Sequence, residues 1–211
     1  MTPKQSNEKI KQLLASTQIV PVITVDEISQ AKPLAQALVK GGLTVLEVTL
    51  RTPCAIEAIQ EMSQVAGATV GVGTLVSKTD VTNAKKAGAV FGVSPGNTPS
   101  LLKACEAEEL PILAGVSTVS EIMQMLELGY DVMKFFPAAL SGGVKALQAF
   151  GSILPQAQFC PTGGIGVQTA REYLDLPNVM CIGGSWIIPK EALASGDFEL
   201  IEKLALEACG V

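Results

Sequence analysis

Histidine is absent from this chain of 211 residues. That gap removes Ser-His-Asp and Cys-His catalysis, histidine general bases and most transition-metal sites together. Acid–base work falls to carboxylate, lysine, tyrosine or water. Aromatic residues make up only 4%, which leaves Ala, Val, Leu and Ile to fill the core. Charged residues are also few, 17% against 48% hydrophobic, a balance that suits strands covered on both faces and read as unbroken apolar runs. Lys and Arg form no cluster and the net charge is −5, which argues against the basic groove of a nucleic-acid partner. An anionic ligand must then be held locally. The five cysteines, Cys54, Cys105, Cys160, Cys181 and Cys209, are scattered, odd in number and without the paired spacing of a zinc site. They read as reduced, small apolar residues of a cytoplasmic protein. No apolar stretch approaches the roughly 20 residues that cross a bilayer, and the polar start from Met1 to Ser6 is unlike a secretory leader, so neither secretion nor a membrane is expected.

The length suits one domain, residues 1–211. After an opening polar helix at about residues 7–15, Val- and Ile-rich runs alternate with helical stretches, the pattern of repeated βα units and a parallel sheet. Strand candidates lie at 19–25, 45–50, 69–74, 90–94, 112–116, 132–136, 158–161 and 179–183, with amphipathic segments such as 28–40, 54–65 and 118–128 between them. About eight such units is the count of a (β/α)8 TIM barrel, here with an extra N-terminal helix and connections of only a few residues. The competing architecture, an open doubly wound sheet, usually has fewer strands and a glycine-rich nucleotide turn after the first. Here the first run is followed by Asp26-Glu27-Ile28, with no glycine.

A barrel carries its active site at the C-terminal ends of its strands, so polar residues late in these runs matter. Glu47 sits inside Leu46-Glu47-Val48-Thr49-Leu50 and is followed by Arg51; Thr74 ends Val72-Gly73-Thr74; Lys134 is the one charge in Val132-Met133-Lys134-Phe135-Phe136-Pro137. Strand alternation puts Val45, Glu47 and Thr49 on one face, and Val132, Lys134 and Phe136 on one face. The barrel interior is the side on which these charges find partners. Lys134 and Glu47 could be a buried ion pair that only ties strands together. Alternatively, Lys134 is the nucleophile of imine chemistry, because burial among bulky apolar side chains disfavours an ammonium and a neutral amine is what attacks a ketone. Glu47 would partly oppose this by favouring the charged amine, so the two groups are expected close but not tightly paired, with the carboxylate moving protons.

Two glycine pairs follow late strands, in Pro161-Thr162-Gly163-Gly164-Ile165 and in Cys181-Ile182-Gly183-Gly184-Ser185-Trp186. In many barrels the loops after strands seven and eight, with a helix N-terminus, bind phosphate through backbone N–H groups. The plain alternative is a pair of tight turns. Other matches fail: Gly71-Val72-Gly73 lacks the third glycine of a dinucleotide fingerprint, with Val76 in that place, and Gly142-Gly143-Val144-Lys145 carries Ala146 where a P-loop needs Ser or Thr. Both read as turn or helix-opening glycines. The apolar faces within 34–39 and 122–126 repeat at helical spacing and read as packing surface.

Taken in order and spacing, Val45-Leu46-Glu47-Val48-Thr49-Leu50-Arg51-Thr52, Gly73-Thr74, Ser94-Pro95-Gly96, Lys134-Phe135-Phe136-Pro137, Phe159-Cys160-Pro161-Thr162-Gly163-Gly164 and Gly183-Gly184-Ser185-Trp186 closely resemble bacterial 2-keto-3-deoxy-6-phosphogluconate (KDPG) aldolases. The likeness spans nearly the whole chain and includes Gly142-Gly143-Val144-Lys145-Ala146-Leu147. It implies a homotrimeric class I aldolase without metal or cofactor, whose partners are a phosphorylated keto acid and pyruvate. Lys134 would form the imine and Glu47 would transfer protons. Arg51, Thr74 and Thr162 would hold the pyruvate carboxylate, while Pro95 and Phe136 shape the pyruvyl pocket and Phe136 keeps water from the imine. The phosphate would fall to Gly163, Gly164, Gly184 and Ser185. Gly166-Val167 departs from the Ser-Pro that many relatives carry, which bears on phosphate affinity.

The implied reaction cleaves KDPG to pyruvate and glyceraldehyde 3-phosphate, with 4-hydroxy-2-oxoglutarate, cleaved to pyruvate and glyoxylate, as a second substrate. A preference for the galactonate-derived epimer or for an unphosphorylated substrate is the alternative within enzymes. From another class, the chain could be a phosphometabolite-binding barrel without turnover, with Lys134 and Glu47 as structural ions.

Overall fold

A computed structural model describes residues 1–210. Along them run α1 (Pro3–Leu14), β1 (Ile19–Ile23), α2 (Ile28–Lys40), β2 (Val45–Thr49), α3 (Ala55–Ser63), β3 (Thr69–Gly73), α4 (Lys78–Lys86), β4 (Gly92–Val93), α5 (Pro99–Ala107) and β5 (Ile112–Leu113). They continue with β6 (Gly115–Val116), α6 (Val119–Glu127), β7 (Val132–Phe135), α7 (Gly143–Ile153), β8 (Gln158–Pro161), α8 (Val167–Leu174), β9 (Ile182–Gly184), α9 (Lys190–Ser195) and α10 (Phe198–Ala208). Every strand pairing is parallel. The fold is α/β, with a curled six-stranded sheet ordered β5-β4-β3-β2-β1-β9 and a three-stranded sheet ordered β6-β7-β8. Strand β8 and the segment of β9 meet through the single bridges Phe159 to Val179 and Thr162 to Gly183. No helix among the described residues is long and apolar enough to cross a membrane.

Several expected boundaries shift for physical reasons. Helix α1 starts at Pro3, not near residue 7, because Thr2 caps it: its hydroxyl accepts from Gln5 N while the Gln5 side chain accepts from Thr2 N, and Pro3 occupies the first turn where no N–H is needed. The run 112–116 divides at Ala114, since Gly115 N–H donates to Gly96 O at 3.3 Å and Asn97 Nδ2 donates to Gly115 O at 2.8 Å. Val179 pairs only as an isolated bridge, so the last strand begins at Ile182. Gly71 and Gly73, expected in a turn, lie inside β3. Gly142 and Gly143 do open a helix, both at positive φ. The apolar helix faces are indeed packing surface: Leu34, Ala35, Ala37 and Leu38 of α2, and Ile122 and Met125 of α6, are buried.

The apolar side chains separate into two clusters. The larger one joins helices to the backs of the strands, through residues such as Leu34, Leu38, Ile59, Phe135 and Phe159. The smaller draws Val20, Val45, Val93, Leu113, Val132, Cys160 and Cys181 from both sheets and seats Ile10 and Leu14 of α1 among them. Burying each large aliphatic side chain stabilises by about 1.5–3 kcal/mol, so these two layers fix which way every strand faces. Strand alternation then carries the argument forward. Glu47 stands two residues beyond Val45 and Lys134 two beyond Val132, one layer nearer the strand C-termini. Phe135 faces the other way, with its ring edge-on to Phe150 at 5.7 Å and to Phe159 at 6.5 Å, which holds Lys134 pointing inward.

Candidate active site

The Nζ of Lys134 lies 3.2 Å from Oε1 of Glu47, and the two residues keep only 5% and 3% of their surface exposed. The strands β7 and β2 that carry them belong to different sheets, and 87 residues separate the pair in sequence. The expectation of two groups close but not paired is therefore corrected: they form a hydrogen-bonded ion pair. Removing two charges from water costs several kcal/mol per ion, so such a pair adds little stability over an apolar replacement. What it can do is exchange a proton. The amine is also 5.2 Å from the centre of the Phe136 ring, so an aromatic face covers it.

The pair has a glycine seat and a thiol floor. A Cβ on Gly73 would overlap the Glu47 carboxylate, so the bare α-carbon is what lets that side chain lie against β3. Glycine in a strand interior weakens pairing and marks a close approach; that was the signal for Gly73, which the sequence motif brought in only as Thr74's neighbour. Cys160 is the register partner of Lys134, and Cys181 Sγ donates to Cys160 Sγ at 3.3 Å. The bond to Cys160, burial, and the neighbouring Cys160 and Glu47 push the Cys181 thiol well above its ordinary range, so it is a neutral wall and no nucleophile. All five cysteines are free. Among the described residues no group of three or more His, Cys, Asp or Glu is placed to hold a metal.

Thr162 follows β8, one strand along from Lys134, and is 6% exposed. Its backbone is satisfied, N–H to Phe135 O at 2.9 Å and C=O from Ala138 N at 2.8 Å, yet its Oγ1 is buried with no hydrogen-bond partner. A buried hydroxyl left unpaired costs about 1–3 kcal/mol. Gly183 makes room for that hydroxyl, since a Cβ there would strike Thr162 Oγ1. Gly184 faces the Trp186 ring in the same way. The second glycine pair thus lies within β9 and not in a loop, and its glycines serve close packing. Gly163 and Gly164 differ: both adopt positive φ, 100° and 75°, which only glycine takes without strain. Thr74, just past β3, also has positive φ, 64°, an uncommon state for a β-branched residue.

Arg51 and Ser185 come together as walls of one open cavity of about 420 Å³, with Val22, Thr24, Ile188 and Lys190. Neither Arg51 nor Lys190 is in an ion pair among the described residues, so the cavity holds two cations available to an anion, beside the carboxylate of Asp26. Pro95 is exposed past β4, its carbonyl pressed on Gly115, the register partner of Lys134. Lys134, Glu47 and Phe136 therefore come together, with Gly163 against the Phe136 ring and Thr162 against Gly183, whereas Arg51 and Ser185 share a cavity whose lining includes none of these. Thr24, next to last in the first expected strand run, was missed because that run was searched only for nucleotide-binding glycines.

Known proteins share this sequence and fold from end to end. Residues 10–204 match the family described as KDPG and KHG aldolase. The KHG/KDPG aldolase of Escherichia coli K12 is 49% identical over 197 residues, covering 93% of this chain and 92% of that one. The KDPG aldolase of Zymomonas mobilis ZM4, crystallised with 3-phosphoglycerate, superposes with a TM-score of 0.91 at 44% identity, covering 96% of both chains. That of Legionella pneumophila, with pyruvate captured as a covalent carbinolamine, gives the same TM-score and identity over 94% of this chain and 97% of the other. With a buried lysine–carboxylate pair, a flexed glycine turn and this overlap from end to end, the chain belongs to the KDPG and KHG aldolase family.

Proposed function

We propose that the protein is a class I aldolase that cleaves KDPG to pyruvate and glyceraldehyde 3-phosphate, and 4-hydroxy-2-oxoglutarate to pyruvate and glyoxylate. The observation that carries this is the ion pair of Lys134 and Glu47 at 3.2 Å, buried and roofed by Phe136. A pair that close turns itself into reagents. Transfer of the ammonium proton to Glu47 leaves a neutral amine beside a neutral acid. Lys134 then attacks the C2 ketone, and Glu47 returns the proton as the carbinolamine oxygen departs as water. The iminium accepts the electron pair of the C3–C4 bond while Glu47 takes the C4 hydroxyl proton, releasing the aldehyde. Protonation of the enamine at C3 and hydrolysis then free pyruvate and the lysine.

The rest of the site divides along its depth. Arg51 and Thr74 hold the substrate carboxylate together with Thr162, whose unpartnered Oγ1 supplies a hydrogen bond in wait. Pro95 and Phe136 shape the pyruvyl pocket. Gly163, Gly164, Gly184 and Ser185 take the phosphate, and no metal or other cofactor enters the reaction. The two sheets act as arcs of one closed eight-stranded barrel with α1 across its end; the bridges between β8 and β9 and the apolar cluster shared by both sheets support that. In this reading the chain is a single domain working as a cytoplasmic homotrimer.

The test is borohydride reduction in the presence of pyruvate followed by peptide mass analysis. A stable adduct on Lys134, absent in Lys134→Met, is expected; an adduct elsewhere, or none, overturns the assignment. Cleavage should be insensitive to chelators. Comparing kcat/KM for substrates with and without the 6-phosphate, in the native protein and in Ser185→Ala, separates phosphate use from its alternatives: only a phosphate-using enzyme loses by both changes.

A further inference from the structure

Strand β1 lies between β9 and β2 in the sheet, yet no residue from it has a part in the site assigned above. Its alternation sets Val20 in the inner cluster, Val22 level with Glu47, and Thr24, just past the strand, one step nearer the strand C-termini. Val22 and Thr24 both wall the cavity shared by Arg51 and Ser185. Thr24 therefore shares one cavity with Arg51 and Ser185, the groups proposed to hold the two ends of the substrate.

The polarity of its hydroxyl can be worked out. Thr49 Oγ1 donates to Ile23 O at 2.8 Å, and Thr24 Oγ1 is 3.1 Å from Thr49 Oγ1. A hydroxyl has one proton, and that of Thr49 is committed to the Ile23 carbonyl. The proton between the two threonines is then Thr24's. Thr24 is left with acceptor capacity only, at the wall of a cavity that also carries the cations of Arg51 and Lys190 and the carboxylate of Asp26. Cations beside a fixed hydroxyl acceptor favour a ligand that carries both an anionic group and a hydroxyl proton.

We propose that Thr24 is a specificity-determining residue, accepting a hydrogen bond from the hydroxyl on C5 of the substrate, between the carboxylate end at Arg51 and the phosphate end at Ser185. This rests on the function proposed above. The two substrates named there differ at this position: KDPG has a C5 hydroxyl, whereas C5 of 4-hydroxy-2-oxoglutarate is a carboxylate with no hydroxyl proton to give.

The measurement is the ratio of kcat/KM for KDPG to that for 4-hydroxy-2-oxoglutarate. In Thr24→Val, which keeps the shape and leaves the Thr49 bond to Ile23 O in place, the ratio should fall about five- to tenfold, the effect of one neutral hydrogen bond. Thr24→Ser keeps the hydroxyl and should restore the ratio to within about twofold of native, by the same measure. If Thr24→Val folds poorly, Thr24→Ala against Thr24→Ser gives the same comparison. An unaltered ratio, whether both activities fall together or neither falls, overturns the proposal. Pyruvate trapping by borohydride in the native protein keeps the two questions apart: failure there sinks the aldolase reading, while successful trapping with an unaltered ratio sinks only the role of Thr24.

Discussion

Lys134 Nζ and Glu47 Oε1 meet at 3.2 Å across two sheets, each residue almost wholly removed from water. The carboxylate is both the lysine's counter-charge and the nearest group able to carry its proton. Glu47→Gln keeps the shape and removes both roles. We expect kcat to fall by about two to four orders of magnitude, the range of a lost general acid–base, in steady-state cleavage assays. A loss under tenfold would show that water does the proton transfer.

Gly73→Ala probes the seat of that carboxylate without touching it. The added methyl would overlap Glu47 Oε1, and the backbone there needs no positive φ, so the effect is steric alone. Small-to-large changes in tight packing cost about 1–3 kcal/mol. The expected outcome is a folded protein of lower Tm whose kcat falls at least tenfold, and native kcat would mean the carboxylate's position is not critical.

Thr162→Val should separate stability from activity in opposite directions. The native hydroxyl is buried and unpartnered, so replacing it with a methyl removes a desolvated polar group and should stabilise the free protein by about 1 kcal/mol. Activity should fall about tenfold or more if that hydroxyl bonds the substrate, in line with an oriented polar contact. Urea denaturation and kcat/KM on the same preparation decide it, and a loss of stability would contradict the assignment.

Acid stability has a local component at α6. Glu121 is partly buried, which opposes its ionisation, but the N–H and hydroxyl groups of Ser117 and Thr118 all donate to its Oε2, at 2.7–3.1 Å, and the net effect lowers its pKa from the ordinary 4.5. A depressed carboxylate stabilises the fold above its unfolded pKa and loses that contribution as pH falls through the folded value. Glu121→Gln should therefore be less stable than native by about 0.5 kcal/mol at neutral pH, a charge effect discounted for solvent screening, with the gap closing below pH 4.5. Thermal unfolding at both pH values checks it, and a gap that widens in acid would reverse the sign.

Much of this was readable from the chain because of period. Apolar runs located the strands, and an alternation of two put Glu47 and Lys134 on the inner face. Their contact distance was not readable, because it depends on Gly73 admitting the carboxylate between strands. The break at Ala114 arises from bonds of Gly115 to Gly96 and Asn97, which no local propensity encodes. The early start of α1 was encoded, in Thr2, Pro3 and Gln5, and was passed over. The acceptor character of Thr24 follows only from where the proton of Thr49 goes, a relation between neighbouring strands.

The inner apolar layer also has a bearing on design. It fixes Lys134 on β7 and Glu47 on β2 from beneath, while the cavity of Arg51 draws its walls from other residues, among them Val22, Thr24, Ser185, Ile188 and Lys190. On the function proposed above, bond cleavage and recognition of the leaving aldehyde are written in different stretches of chain. Variation confined to Thr24, Ser185 and Lys190 gives a small library in which the amine and its proton carrier stay intact, so new aldehyde acceptors can be sought in the synthetic direction without rebuilding the catalyst.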